Sequence, residues 1–199
     1  MNTQYCIWHF SAEEVITASG LEYSNFEGAS VLDMGCGFSD LLPFIWEHSS
    51  PERLVGIDPI FSSPESFQKA QDDTRAYIDE LIQSYLFLPK TIDKLQIRRN
   101  ALEKFSFTQS KVEYQADTSN LEQGSFDYIF LNFVLAHIID LQVKAKLLSN
   151  LRAFKKKVWT LIIIDGGHIV DSVQAWNLKG STRRISRAVS CLKIKKAQN

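Results

Sequence analysis

Short apolar runs alternate with longer amphipathic segments along most of this chain, a pattern that predicts strands separated by helices. Val31-Leu32-Asp33-Met34 and Leu54-Val55-Gly56-Ile57 have strand length, and Leu161-Ile162-Ile163-Ile164 is apolar throughout, as in a strand covered on both faces. Val112 to Asp117 alternates apolar and polar residues like a further strand, and Val158 to Asp165 frames the apolar run. Glu13 to Ser19 predicts a short helix, with Ser11 placed to cap it and Glu14 to close a capping box. Phe38 to Glu47 predicts the helix between the first two strands, its Pro43 lying in the first turn, where a missing amide is tolerated. Asp140 to Phe154 carries Leu141, Val143, Leu147, Leu148 and Leu151 on one helical face.

Strand, turn, helix and strand in this order make a βαβ unit, whose right-handed crossover sets the two carboxyl strand ends side by side. Two further helical patterns follow Pro64. Ser66 to Leu88 repeats Phe67, Ala70, Tyr77, Ile78, Leu81, Ile82 and Tyr85 near helical spacing, Pro89 interrupts it, and Ile92 to Phe105 predicts a second helix. No linker rich in Gly, Ser or Pro surrounds them, so residues 1–199 are expected to form one domain with 62–106 as a helical insertion or lid.

The chain has 199 residues, 45% hydrophobic and 23% charged, which suits one soluble domain with a sizeable core. A formal net charge of -1 removes the whole-molecule electrostatic argument for nucleic acid. There is no secretory leader pattern and no apolar run of membrane-spanning length, so a cytoplasmic location is the expectation. Cys6, Cys36 and Cys191 are odd in number, widely spaced and lack a paired Cys-x-x-Cys, which predicts neither disulfide nor zinc. The basic residues at Lys155–Lys157 and among Arg183, Arg184, Arg187, Lys193, Lys195 and Lys196 read as solvated surface.

Chemistry concentrates where the first strand ends, in Asp33-Met34-Gly35-Cys36-Gly37-Phe38-Ser39-Asp40. Two glycines without side chains let backbone approach a ligand closely. A nicotinamide-binding turn also joins strand to helix through glycines, but it requires a small residue three places after the second glycine, where Asp40 stands. Cys36 is expected in this turn for its small size.

The segment Val31 to Asp40 resembles the first motif of class I S-adenosylmethionine-dependent methyltransferases: an apolar strand, an acid, then Gly-x-Gly-x-Gly, with Ser39 in place of the third glycine. The resemblance continues through Asp58, Asp117 and Gly124 to Ile138, the last written in the family as Phe-Asp-x-Val followed by Val-Leu-x-His. It covers about Val31 to Asp165 and implies an α/β, Rossmann-like doubly wound sheet, mostly parallel. A closing helix and antiparallel hairpin are expected in reduced form from Val170–Leu178 and Ala188–Ile194, with Gly180 near a turn. The interval from Asp58 to the third strand is longer than the family's usual one, which marks the insertion.

By this resemblance the cofactor is S-adenosylmethionine, with S-adenosylhomocysteine as product. Asp33, Gly35, Cys36 and Gly37 would surround the methionine end, and Asp58 would accept both ribose hydroxyls, a task suited to a carboxylate's two oxygens. Asp117, with Thr118 beside it, would meet the adenine amine. Asn132 and Phe133 are candidate cofactor or acceptor contacts, whereas Asp127 at the far end of its strand is expected to be structural.

The implied reaction is in-line methyl transfer, in which alignment of the two partners supplies much of the acceleration. His137 is the candidate general base for an acceptor that holds its proton at neutral pH, and His168 is second. No metal motif accompanies them. Neither the Pro-Pro-aromatic element of amino-methylating nucleic-acid enzymes nor the Pro-Cys of cytosine-C5 enzymes follows the fourth strand, so a small-molecule acceptor is expected. The competing function is a methyltransferase-like cofactor-binding or regulatory protein without turnover.

Overall fold

The computed structural model describes residues 11–85, 88–108, 111–138, 140–165, 181–185 and 190–196. Helix α1 (Ala12–Ser19) begins on the expected capping box, with the Glu14 amide donating to Ser11 Oγ at 3.2 Å and the Ser11 amide to Glu14 Oε2 at 2.8 Å. Gly20, at φ 63°, ends it in the left-handed conformation that glycine adopts without steric cost. A 3-10 turn (Tyr23–Phe26) leads into β1 (Ser30–Met34), followed by α2 (Leu41–His48) and β2 (Arg53–Ile57). Helix α2 starts three residues later than its apolar pattern predicts. The reason is local: the Ser39 amide closes a turn onto the Cys36 carbonyl, and Ser39 Oγ accepts the Leu41 amide at 3.2 Å.

After a second 3-10 turn (Pro59–Ser62) come α3 (Pro64–Ser84) and α4 (Pro89–Lys104), the two expected insertion helices. Pro64 and Pro89 each lie at a helix start, where a missing amide costs nothing. Strands β3 (Glu113–Gln115) and β4 (Phe126–Asn132), short helix α5 (Val134–His137), α6 (Leu141–Phe154), β5 (Lys155–Asp165), β6 (Ser181–Ile185) and β7 (Ser190–Lys196) complete the described elements. Asp140 caps α6 by accepting the Gln142 amide at 2.7 Å.

One sheet runs in the order β3-β2-β1-β4-β5-β7-β6. The first five strands pair in parallel, while β7 is antiparallel to both β5 and β6. The terminal hairpin is therefore not a reduced one, since β7 pairs with β5 from Trp159↔Lys196 to Asp165↔Ser190. Val170–Leu178, Gly180 and Ala188 lie outside the described residues.

Successive strand residues face opposite sides, and both sides are covered. Leu32, Met34, Ile129 and Ile163 pack with Leu148 and Leu151 of α6. Val31, Phe130 and Ile162 pack with Val15 of α1 and Leu42 and Ile45 of α2. The helical pair has its own small cores, and Phe38 from the glycine turn belongs to both of them, meeting Phe67 and Phe105 edge-to-face at 5.5 and 5.6 Å. Gln71 ties the pair together by donating to the Leu102 and Phe105 carbonyls at 2.8 and 3.1 Å. At the opposite end of the sheet Asp127 accepts the Ser30 amide at 2.9 Å, a structural tie.

Candidate cofactor site

The strand order reverses at β1, so the crevice beyond the carboxyl ends of β1 and β4 is where an open α/β sheet binds ligands. The turn that leaves β1 is fastened to β2, because the Gly35 and Cys36 amides both donate to the Ile57 carbonyl, at 2.7 and 3.1 Å. Its two glycines are required for different reasons. A β-carbon on Gly35 would lie 2.6 Å from Val134 Cγ2, so the turn after β4 seats directly on it. Around Gly37 there is room, the nearest atom being Asp58 Oδ2 at 3.9 Å, and the requirement is its φ of 49°.

Asp58 closes the other side. Its Oδ2 accepts the Gly37 amide at 3.0 Å and its Oδ1 accepts the Ile60 amide at 3.1 Å, so one carboxylate joins the glycine turn to the 3-10 turn after β2. Burial pushes its pKa up, against the pull of these two amide bonds. Each oxygen has a second lone pair for a ligand hydroxyl.

Asp33 and Asn132 emerge at neighbouring strand ends into a narrow cleft, lined also by Val15, Gly35, Cys36, Ser39 and Phe133. Both side chains are buried, and among the described residues neither has a hydrogen-bond partner for any of its polar atoms. Burial, then the charges of Asp58 and Asp40, push Asp33 up to about 8, so at neutral pH its carboxyl holds a proton in the free protein. Phe133 is the one non-glycine residue at positive φ among the described residues, at 55°, and its amide donates to the Ile164 carbonyl at 2.7 Å. A strained aromatic at a cavity wall is a feature of functional sites. The Cys36 thiol is buried and its pKa is raised, first by burial and then by Asp33 and Asp58, which makes it a packing group and not a nucleophile.

Asp33, Gly35, Cys36, Asn132 and Phe133 thus line one cavity, and Gly37 and Asp58 are hydrogen-bonded at its rim. Asp117 and Thr118 follow β3 and do not line it. Asp117 is exposed, and the Ser119 side chain together with the Ser119 amide, which donates to its Oδ1 at 2.8 Å, holds its pKa below the ordinary value. His137 closes α5, directly after the strained Phe133, but its side chain lies outside the described residues, as does His168. Val15, Val134 and Tyr114 carry no signal in the sequence and come to the site only through packing. Among the described residues there is no cluster of His, Cys, Asp and Glu that would hold a metal ion, and no helix is long and apolar enough to cross a membrane.

This strand order, with its glycine turn at the reversal point, defines a class I methyltransferase fold. A family model described as "Methyltransferase domain" matches residues 7–184, and the chain belongs to that family. Among solved structures it is similar to a SAM dependent methyltransferase from Aquifex aeolicus, at 18% identity and TM-score 0.50, covering 94% of this chain and 89% of that one. It is also similar to the N-methyltransferase NodS from Bradyrhizobium japonicum WM9 in complex with S-adenosyl-l-homocysteine, at 13% identity and TM-score 0.54, covering 94% and 86%. An RNA methyltransferase from Salinibacter ruber, in complex with the same product, aligns at 11% identity and TM-score 0.50 over 92% and 88%. These likenesses show the fold. No curated protein sequence matches the chain.

Proposed function

We propose that this protein transfers a methyl group from S-adenosylmethionine to a small-molecule nucleophile. The observation that carries the reading is the pair of buried side chains, Asp33 and Asn132, whose polar atoms find no partner among the described residues yet face one cavity beside the glycine turn. Buried polar groups are almost always hydrogen-bonded, so an unsatisfied cluster at a cavity marks a ligand position. A carboxyl and a carboxamide suit the ammonium and carboxylate of a methionine moiety, and Asp58 suits vicinal ribose hydroxyls. Asp117 and Thr118 are assigned to the adenine side, since β3 ends beside Asp58, whose amide donates to the Gln115 carbonyl at 3.0 Å.

When bound, S-adenosylmethionine supplies an electrophilic methyl group on a sulfonium. The chain's part is to orient it: the glycine turn and Asp58 fix one end, while Asn132 and Phe133 border the space from which an acceptor approaches. Asp33 gives up its proton as a cationic amine arrives. His137 is assigned as the base for a hydroxyl acceptor, its imidazole being the group whose ordinary pKa lies near neutrality. Segment 62–106 is assigned as a lid, because Phe38 links its two helices to the glycine turn. The near-neutral net charge and the narrow cavity favour a small acceptor over a polyanion.

Calorimetry and thermal melting with S-adenosylmethionine, S-adenosylhomocysteine and NAD test the reading. S-adenosylhomocysteine should bind and raise the melting temperature by mass action, and NAD should do neither. A shift with NAD alone overturns the cofactor assignment. Binding of S-adenosylhomocysteine with no transfer to any amine, hydroxyl or thiol offered would instead support a cofactor-binding protein without turnover.

A further inference from the structure

Tyr114 carries a buried hydroxyl with no hydrogen-bond partner among the described residues. In the sheet register Tyr114 pairs with Gly56, which pairs with Asp33, so the three form one row across β3, β2 and β1. The row explains Gly56. A β-carbon there would lie 2.7 Å from two atoms of the Tyr114 ring and 2.9 Å from Cys36 Sγ, so the missing side chain lets the ring lie across β2 towards Asp33. Phe61 stacks on the Tyr114 ring, the two centroids 4.4 Å apart. Burial first, and then the nearness of the Cys36 and Asp33 side chains, pushes the phenol's pKa up.

Packing alone does not account for the hydroxyl, because phenylalanine would fill the same space without burying an unpaired polar group. We propose that Tyr114 is a positioning residue of the cofactor site, its hydroxyl reaching across Gly56 to donate a hydrogen bond to Asp33 once that group is ionised, the form that holds the cofactor's ammonium. The inference rests on the cofactor reading above. Other charged groups facing Asp33 are Asp58 at the end of β2 and Asp40 before α2, with the Cys36 thiol in the turn; β4 contributes only the uncharged Asn132. Asp40 is itself influenced by Arg98 of α4 and Glu14 of α1. Two of these neighbours are carboxylates that oppose ionisation of Asp33, so a neutral donor such as a phenol is what favours it.

The test is Tyr114→Phe, with S-adenosylhomocysteine as the probe, by calorimetry from about pH 6.5 to 9.5 in two buffers of different ionisation enthalpy. Wild-type protein should release a proton on binding near neutral pH. The variant should bind about tenfold more weakly at pH 7, for a change of about one pKa unit at Asp33, and the difference should shrink as the pH rises past the values of both proteins. Its melting temperature without ligand should not fall, since the ring packing is kept. In an Asp33→Asn background the same change should have no further effect on affinity. Equal affinity of wild type and Tyr114→Phe at every pH overturns the proposal while leaving the cofactor reading intact, and so does a pH-independent loss accompanied by a lower melting temperature. Failure of the wild type to bind the probe at any pH overturns the cofactor reading and this proposal with it.

Discussion

Single atoms decide much of the behaviour of this site. Gly35 and Gly37 both have positive φ, but only Gly35 has a neighbour in the way of a β-carbon. Gly35→Ala should therefore lower stability, measured by urea unfolding, by clearly more than Gly37→Ala, for which backbone strain of about 1–2 kcal/mol is expected. Asp33 acts through its proton. Its pKa rises from 3.8 in the unfolded chain to about 8 in the folded protein, so the stabilisation linked to it is complete below the unfolded value and is lost as the pH climbs towards the folded one. Asp33→Asn abolishes that loss, and the ligand-free variant should be more stable than wild type at pH 8 by about 1 kcal/mol or more in urea unfolding, and should melt higher. The same variant should bind S-adenosylhomocysteine poorly, so stability and binding should move in opposite directions. Asp58 contributes to both, since it accepts two backbone amides. Asp58→Ala should weaken S-adenosylhomocysteine binding by about 1.5–3 kcal/mol, the scale for hydrogen bonds to a charged group, and should also lower the melting temperature.

The helical pair α3–α4 is the element that departs most from a bare βαβ succession. Its outer surface carries ion pairs such as Arg75 with Glu103 and Arg99 with Asp79, whose side chains are partly exposed and which contribute little individually. What connects it to the site is aromatic packing through Phe38. If the pair is a lid, it belongs to the less stable part of the molecule. Hydrogen exchange should show weaker protection in α3 and α4 than in β1 or β5, rising when S-adenosylhomocysteine is added. Phe38→Ala should weaken protection of α3 and α4 while leaving β5 unchanged. Protection equal to that of the central strands and indifferent to ligand would make the pair fixed scaffold.

At the scale of the molecule, one sheet carries both faces of the core, and its reversal point sets the cavity at the carboxyl edge. The carboxylates around the glycine turn give this edge an acidic character, which suits a cationic ligand and opposes a phosphate backbone. With a net charge of -1, single-stranded RNA should show no binding tighter than about 100 μM at physiological salt by fluorescence anisotropy. Tight, steeply salt-dependent RNA binding would point to a polymeric acceptor instead.

Local chemistry fixed what could be read directly from the residues. The capping box of Ser11 and Glu14, the break between two helices at Pro89, the apolar strand of Leu161 to Ile164 and the glycine turn after Asp33 each depend on neighbours a few positions away, and each is found where its pattern predicts. The pairing of the acid-ended strands followed from the handedness of the βαβ crossover. Boundaries were less legible: α3 and α4 begin at Pro64 and Pro89, before their apolar patterns, and α2 begins late because Ser39 captures the Leu41 amide. Contacts set by register and burial had no such local signal. Val134 seated on Gly35, Val15 of α1 in the cavity wall and Tyr114 lying over Gly56 join residues far apart in sequence, and periodicity reports a face but not what crosses it. The sequence by itself determined the order of elements and the positions of the acids; the tertiary structure decided that Asp33 is buried, with no partner among the described residues, and that its pKa is raised, because an ionisation equilibrium depends on the surrounding dielectric and charges that only the folded chain assembles.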